Sequence, residues 1–359
     1  MKETNYSIIE INGQKIGKGE KPFIVAEMSG NHNGSINNAL NIIKTAKECG
    51  ADAVKIQTYT PDTITIDCNR PEFIINEGIW KGRRLYELYQ EAHTPWEWHE
   101  ELFKYARNIG ITLFSTPFDK SSVSLLEKLN NPIYKIASPE LIDLGLIKEV
   151  AKTGKPIIFS TGMGSLDEIE EAIETVKNVG SNKIIVLHCT SAYPAPIEEA
   201  NLSTIPEIEN RFKVLSGLSD HTKGTEVSKL AVVLGAAVIE KHFTLDKTQG
   251  GVDSEFSIDP TDLKRLVNET KTASICIGKP AFKPTKSESM VLKNRRSLYI
   301  VKDIKKGEII QTENIKSIRP GNGILPKYID SIIGKIASRD LYFGEPFGFD
   351  MIIESKDND

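Results

Sequence analysis

The chain has 359 residues, 39% of them hydrophobic and 26% charged, which excludes the disordered and fibrous classes and supplies a large buried core. Its 45 basic and 49 acidic residues nearly balance at a net charge of -4, so no domain-wide basic field points to nucleic acid. Four cysteines without CxxC spacing argue against a disulfide framework or zinc ribbon, the start MKETNYSIIEINGQ has no apolar signal region, and the longest apolar run, Leu230 to Ile239, is too short to cross a bilayer; a cytoplasmic protein off the membrane is expected.

In chain order, the first apolar run, PFIVAEM (22–28), is followed by an amphipathic segment at 37–49 and a second run, ADAVKIQ (51–57). Residues 58–95 are too long for a plain connection, and loops of that length are usually functional. A helix is predicted over 96–109, then strands ITLFSTP (111–117), IYKIAS (133–138) and PIIFSTG (156–162). Another helix covers 166–179, with Asp167 near its start and Gly180 at its stop. The last three strands are IIVLHCTS (184–191), VLSGLSDH (214–221) and AVIEKHFT (237–244). These runs do not alternate, as expected of parallel strands buried on both faces. Eight such units over residues 1–278 fit a (β/α)8 barrel, with an open doubly wound sheet as the competing arrangement.

The pattern then breaks. Residues 279–290 carry linker composition, and 291–359 contain short strand-like pieces, SLYIV (297–301) and EIIQ (308–311), punctuated by Gly and Pro. A second, small β-rich domain is predicted there, marginal alone at that size.

The polar residues gather where a barrel keeps its chemistry, at the C-terminal ends of the strands. The first two strands bring Glu27, then Lys55 and Gln57; the next three bring Thr116, Lys135, Ser138 and Ser160, with Glu140 just beyond. Ser191 and Tyr193 follow the sixth, Ser219 to His221 end the seventh, and Glu240 and His242 end the eighth. Buried lysines need an anion, so Lys55 and Lys135 fit either a phosphate or carboxylate ligand or an internal pair with a barrel glutamate. His221 and His242 end consecutive strands and fit either a divalent metal site or core packing. His188, His93, His99 and the Trp96–Trp98 pair read as core or loop packing.

With these motifs placed, the chain resembles the sialic acid synthase family, through AEMSGNHNG (26–34), ADAVKIQTY (51–59), STPFD (115–119), YKIAS (134–138), STGM (160–163), CTSAYPAP (189–196), GLSDHT (217–222), EKHFTLD (240–246), NRRSLY (294–299) and IRPGNG (318–323). The resemblance implies a TIM barrel followed by an antifreeze-like (SAF, β-clip) domain that reaches the partner's site in a domain-swapped homodimer. The stretches at 58–67 and 85–98, with Ser191 where neuraminate synthases usually have asparagine, look most like the pseudaminic branch.

That branch would condense phosphoenolpyruvate with a diacetamido-trideoxy sugar, 6-deoxy-2,4-diacetamido-L-altrose. Neuraminate and legionaminate synthesis are the neighbouring alternatives, and a Schiff-base aldolase the distant one. Carried over by resemblance, His221 and His242 are metal ligands for Mn2+ or Mg2+, with Co2+ a further candidate. Lys55, Thr116, Lys135, Ser138, Ser160, Ser191 and Ser219 contact phosphoenolpyruvate. Glu140, Tyr193, Asp253 and the partner's copy of Arg319 contact the sugar, and Glu27 is the catalytic carboxylate.

Overall fold

A computed structural model describes residues 8–353 as two compact units divided after Gly278, so residues 1–7 and 354–359 of the two expected domains lie outside the described residues. The chain opens on an antiparallel hairpin, β1 (Ile9–Ile11) and β2 (Gln14–Ile16). Asn12 and Gly13 turn it with φ of 48° and 81°, the two positive values a tight two-residue turn requires.

Eight parallel strands follow: β3 (Phe23–Glu27), β4 (Ala53–Thr58), β5 (Thr112–Pro117), β6 (Tyr134–Ile136), β7 (Ile157–Ser160), β8 (Ile184–Cys189), β9 (Leu215–Asp220) and β10 (Val238–His242). They close in sequence order, with β10 pairing back onto β3, so the expected (β/α)8 barrel holds and the open sheet does not. Helices shield its outside. The helix Ile36–Cys49 buries Ala39, Ile42, Ile43 and Ala46, the i, i+3, i+4, i+7 stripe of an amphipathic helix. Ser35 caps its start by accepting from the Asn38 N–H, and Gly50 ends it at φ 93°. The helix over Leu166–Asn178 is started by a Ser165/Glu168 capping box rather than by Asp167.

The barrel interior is layered. Its floor is apolar, from Phe23, Val25, Phe114, Ile158, Ile185 and Val238, and the hairpin's Ile9, Ile11 and Ile16 pack beneath it. Polar side chains occupy the opposite, C-terminal end. Among the described residues no helix is long and apolar enough to cross a membrane.

The second unit is built around Leu298, Ile300, Ile304, Ile310, Ile315, Leu341 and Phe347. Its first strand, β11 (Ser297–Ile300), lies where the sequence places one, but EIIQ (308–311) is not a strand. After the Gly307 turn only Ile309 makes a bridge, to Ile336, and the antiparallel partner of β11 is instead β12 (Ile315–Ile318). The linker also differs from expectation by one helical turn, Lys286–Ser289, closed by a Thr285/Glu288 capping box.

Candidate active site

The parallel register sets Glu27 level with Lys55 on one side and with His242 on the other. Lys55 Nζ lies 2.8 Å from Glu27 Oε2 and 3.7 Å from Glu240 Oε1, and donates to Thr116 Oγ1 at 3.1 Å. Lys135 Nζ donates to Ser160 Oγ at 2.5 Å and stands 3.7 Å from Glu240 Oε1, which also accepts from Ser219 Oγ at 3.2 Å. Two lysines, two carboxylates and three hydroxyls thus form one buried network. Both readings of the lysines meet here: they do pair with barrel glutamates, and the pairs sit in the layer expected to take an anion.

The environment separates the four charges. Burial raises the Glu27 carboxyl, only partly offset by Lys55. Burial works the same way on Glu240, but Lys135 and Lys55 overcome it and hold that carboxylate down. For Lys55, burial is outweighed by Glu240 and Glu27 and the ammonium is strengthened; for Lys135, burial wins and the pKa falls. Lys55 therefore stays a cation, and of the two carboxylates in this network Glu27 is the one more disposed to take up a proton.

A second layer fixes this one. Gln57 Nε2 donates to Glu27 Oε1 at 2.9 Å and to Ser29 Oγ at 3.2 Å. Ser29, held at φ 46°, donates onward to Asp253 Oδ2 at 2.5 Å, which also accepts the Gly30 N–H at 3.2 Å. Asp253, expected to contact sugar, thus anchors the loop after β3 through one of its oxygens. Ser138 Oγ accepts the Gly162 N–H at 3.0 Å, and a β-carbon at Gly162 would collide with Ser191 Oγ. Glycine there lets Ser138 and Ser191 converge.

The rings of His221 and His242 stand 5.3 Å apart. His221 Nδ1 faces the Thr190 carbonyl at 3.1 Å and Cys189 Sγ at 3.7 Å, which leaves Nε2 as its free nitrogen. Burial opposes charge on His221, but Cys189 and that carbonyl bring its pKa above the ordinary value. His242 Nδ1 is buried without a hydrogen-bond partner, and burial followed by His221 drives its pKa well down, leaving the neutral imidazole that metals bind. Among the described residues no group of three His, Cys, Asp or Glu side chains gathers for a metal. The unpartnered Nδ1 of His242 and the Nε2 of His221 are imidazole nitrogens not taken up by protein groups.

Tyr193 packs 4.5 Å from His221, and Phe256 packs 4.8 Å from His242. Trp80 and Phe256 were missed from sequence; only the flanking Gly78 and Gly82 hint that Trp80 tips a turn. The packing expectations hold for His188, which meets the Ala200 carbonyl at 2.8 Å, and for His99, bonded to Thr58 Oγ1 at 2.8 Å. Arg319 lies in the second unit, exposed just after β12. A cavity of about 540 Å³ lies at the N-terminal end of the strands, lined by Gln14, Asp52, Arg107 and Thr112; none of the expected site residues lines it.

Glu140 has a buried Oε2 without a partner, and burial pushes its carboxyl up to about 7. A raised carboxyl favours the fold while protonated and costs stability as pH rises from the ordinary carboxylate range through about 7. Glu140→Gln should therefore be more stable than wild type near about pH 8, by roughly 3 kcal/mol, and similar near about pH 4. Urea unfolding at both values checks this, and an equal difference at both would exclude titration of Glu140 as the cause.

Residues 42–281 match the NeuB family and residues 295–353 match the SAF domain. The chain is 46% identical to the pseudaminic acid synthase of Campylobacter jejuni, in two strains, over 329 residues covering 91% of this chain and 95% of that protein. It is 39% identical to the N,N'-diacetyllegionaminic acid synthase of one of those strains, across 89% of this chain and 97% of that protein. The structure of an N-acetylneuraminic acid synthetase from Leptospira borgpetersenii, in complex with citrate, superposes with a TM-score of 0.72 at 33% identity, covering 80% of this chain and 95% of that one. With its closed barrel followed by an SAF unit, the chain belongs to the NeuB family.

Proposed function

We propose that the chain condenses phosphoenolpyruvate with 6-deoxy-2,4-diacetamido-L-altrose and water to give pseudaminic acid and phosphate. The observation that carries the choice of sugar is the identity to two enzymes of one Campylobacter strain, 46% to the pseudaminic synthase against 39% to the legionaminic one.

In the reaction, C3 of phosphoenolpyruvate bonds to the aldehyde carbon of the open-chain sugar, whose oxygen takes up a proton. Water adds at C2 and gives up a proton, and phosphate leaves with the electrons of the C2–O bond. Lys55 and Lys135, with Thr116, Ser138, Ser160, Ser191 and Ser219, would hold the donor's phosphate and carboxylate, the enolate's own anions replacing the glutamates as lysine partners. Ser191 is shorter than asparagine, so its reach to phosphate goes through a bridging water. Glu27, buried and raised, takes the proton-transfer role.

His221 and His242 would hold Mn2+, Mg2+ or Co2+, an ion that supplies Lewis acidity toward the aldehyde oxygen and the attacking water. Glu140, Tyr193 and Asp253 would face the sugar, joined by Arg319 of a second copy in a domain-swapped, cytoplasmic homodimer. A Schiff base at Lys55 or Lys135 is disfavoured, because Lys55 is ion-paired with Glu27 at 2.8 Å and Lys135 stands 3.7 Å from Glu240 Oε1.

The test is phosphate release from phosphoenolpyruvate with Mn2+, offering the altrose, its gluco-configured counterpart and N-acetylmannosamine separately. Release with the altrose alone, abolished by EDTA, is expected. Release only with another sugar would move the substrate within the family, and undiminished release in EDTA would remove the metal.

A further inference from the structure

The segment between β4 and the helix Leu85–Ala92 folds back on itself: the Ile75 N–H bonds the Arg83 carbonyl at 2.9 Å, and the Gly82 N–H bonds the Ile75 carbonyl at 2.7 Å. Trp80 sits at the tip of this excursion. Its indole N–H donates to the Val252 carbonyl at 2.9 Å, which ties the tip to the loop carrying Asp253. Its ring lies 5.6 Å from Tyr193 and 6.2 Å from Phe256, the two rings that flank the histidines. Trp80, Tyr193 and Phe256 therefore make one aromatic wall rising from the imidazole pair, with Trp80 outermost and half-buried.

From this wall we infer that Trp80 is a specificity-determining residue, receiving the apolar face of a deoxygenated, N-acylated sugar acceptor. The inference rests on the function proposed above. The acceptor's C6 methyl and acetamido methyls are apolar groups, and an aromatic face removes them from water. The indole's only donor is already committed to Val252, so the wall offers a hydroxyl at the methyl position no partner from Trp80. An apolar pocket rejects an added hydroxyl by roughly 10²-fold at most, which sets the scale of the preference.

The experiment measures kcat and KM with two acceptors that differ only at C6, one carrying CH3 and one CH2OH, in wild type, Trp80→Phe and Trp80→Ala. Trp80→Ala should raise the KM for the 6-deoxy acceptor about tenfold, leave the KM for phosphoenolpyruvate nearly unchanged, and narrow the preference between the acceptors. Trp80→Phe, which keeps a ring but loses the N–H, should retain most of the wild-type preference. Equal losses in both variants would assign Trp80 to holding the Val252 loop and overturn the inference, as would an unchanged acceptor KM in Trp80→Ala. If Trp80→Ala does not fold, Trp80→Leu, which fills space without a π face, takes its place with the same expectations. A wild-type protein that turns over neither acceptor would refute the proposed function itself, an outcome separate from any ratio among the variants.

Discussion

Glu27→Gln should lower kcat by roughly 10³-fold while phosphoenolpyruvate still binds, the scale expected when a positioned acid or base is lost. Glutamine is the same size, but its one carbonyl oxygen can replace only one of the two carboxylate oxygens that now meet Gln57 at 2.9 Å and Lys55 at 2.8 Å, so one of these contacts is given up while the volume is kept. What disappears is a group whose proton affinity burial has raised, placed by register between Lys55 and His242. Removing a negative charge from an anion site should tighten phosphoenolpyruvate binding rather than weaken it. Titration calorimetry alongside phosphate release separates the two effects, and near-normal turnover would exclude Glu27 from the chemistry.

The second large effect is on the fold. Lys241 Nζ and Asp220 Oδ2 are 2.8 Å apart between adjacent strands β10 and β9, both side chains 1% exposed. Lys241 also donates to the Thr222 carbonyl at 2.6 Å, and Asp220 accepts from the Thr222 N–H, its hydroxyl and Ser228. Burial opposes the Asp220 charge, yet Lys241 holds its pKa below the ordinary value. Lys241→Met leaves that carboxylate buried and uncompensated, at a cost of about 3–5 kcal/mol. Adding Asp220→Asn removes the stranded charge and should recover part of the loss in urea unfolding. A single-variant loss under about 1 kcal/mol would mean that water or another cation reaches Asp220. Thr222 directly follows His221, so the same pair fixes the backbone beside that histidine.

The barrel was legible because burying both faces of a parallel strand leaves an unbroken apolar run, and all eight runs became strands. The site was legible for a related reason: a lysine such as Lys55, or a glutamate such as Glu27, stands out at the end of an apolar run. What escaped had no such contrast. The β1–β2 hairpin is two three-residue strands, too short for a periodicity, and its Asn12–Gly13 turn was the one local signal. EIIQ has strand composition, but pairing is decided by tertiary neighbours, and β12 took the place beside β11. Trp80 joins Tyr193 and Phe256 across long stretches of chain, through contacts that no local pattern encodes.

The hairpin packed under the floor seals the barrel at the end away from the polar residues, Ile9, Ile11 and Ile16 adding to a layer that is already apolar. The buried lysines and carboxylates are thereby approached from the C-terminal rim, where Tyr193 and Phe256 stand beside the two imidazoles.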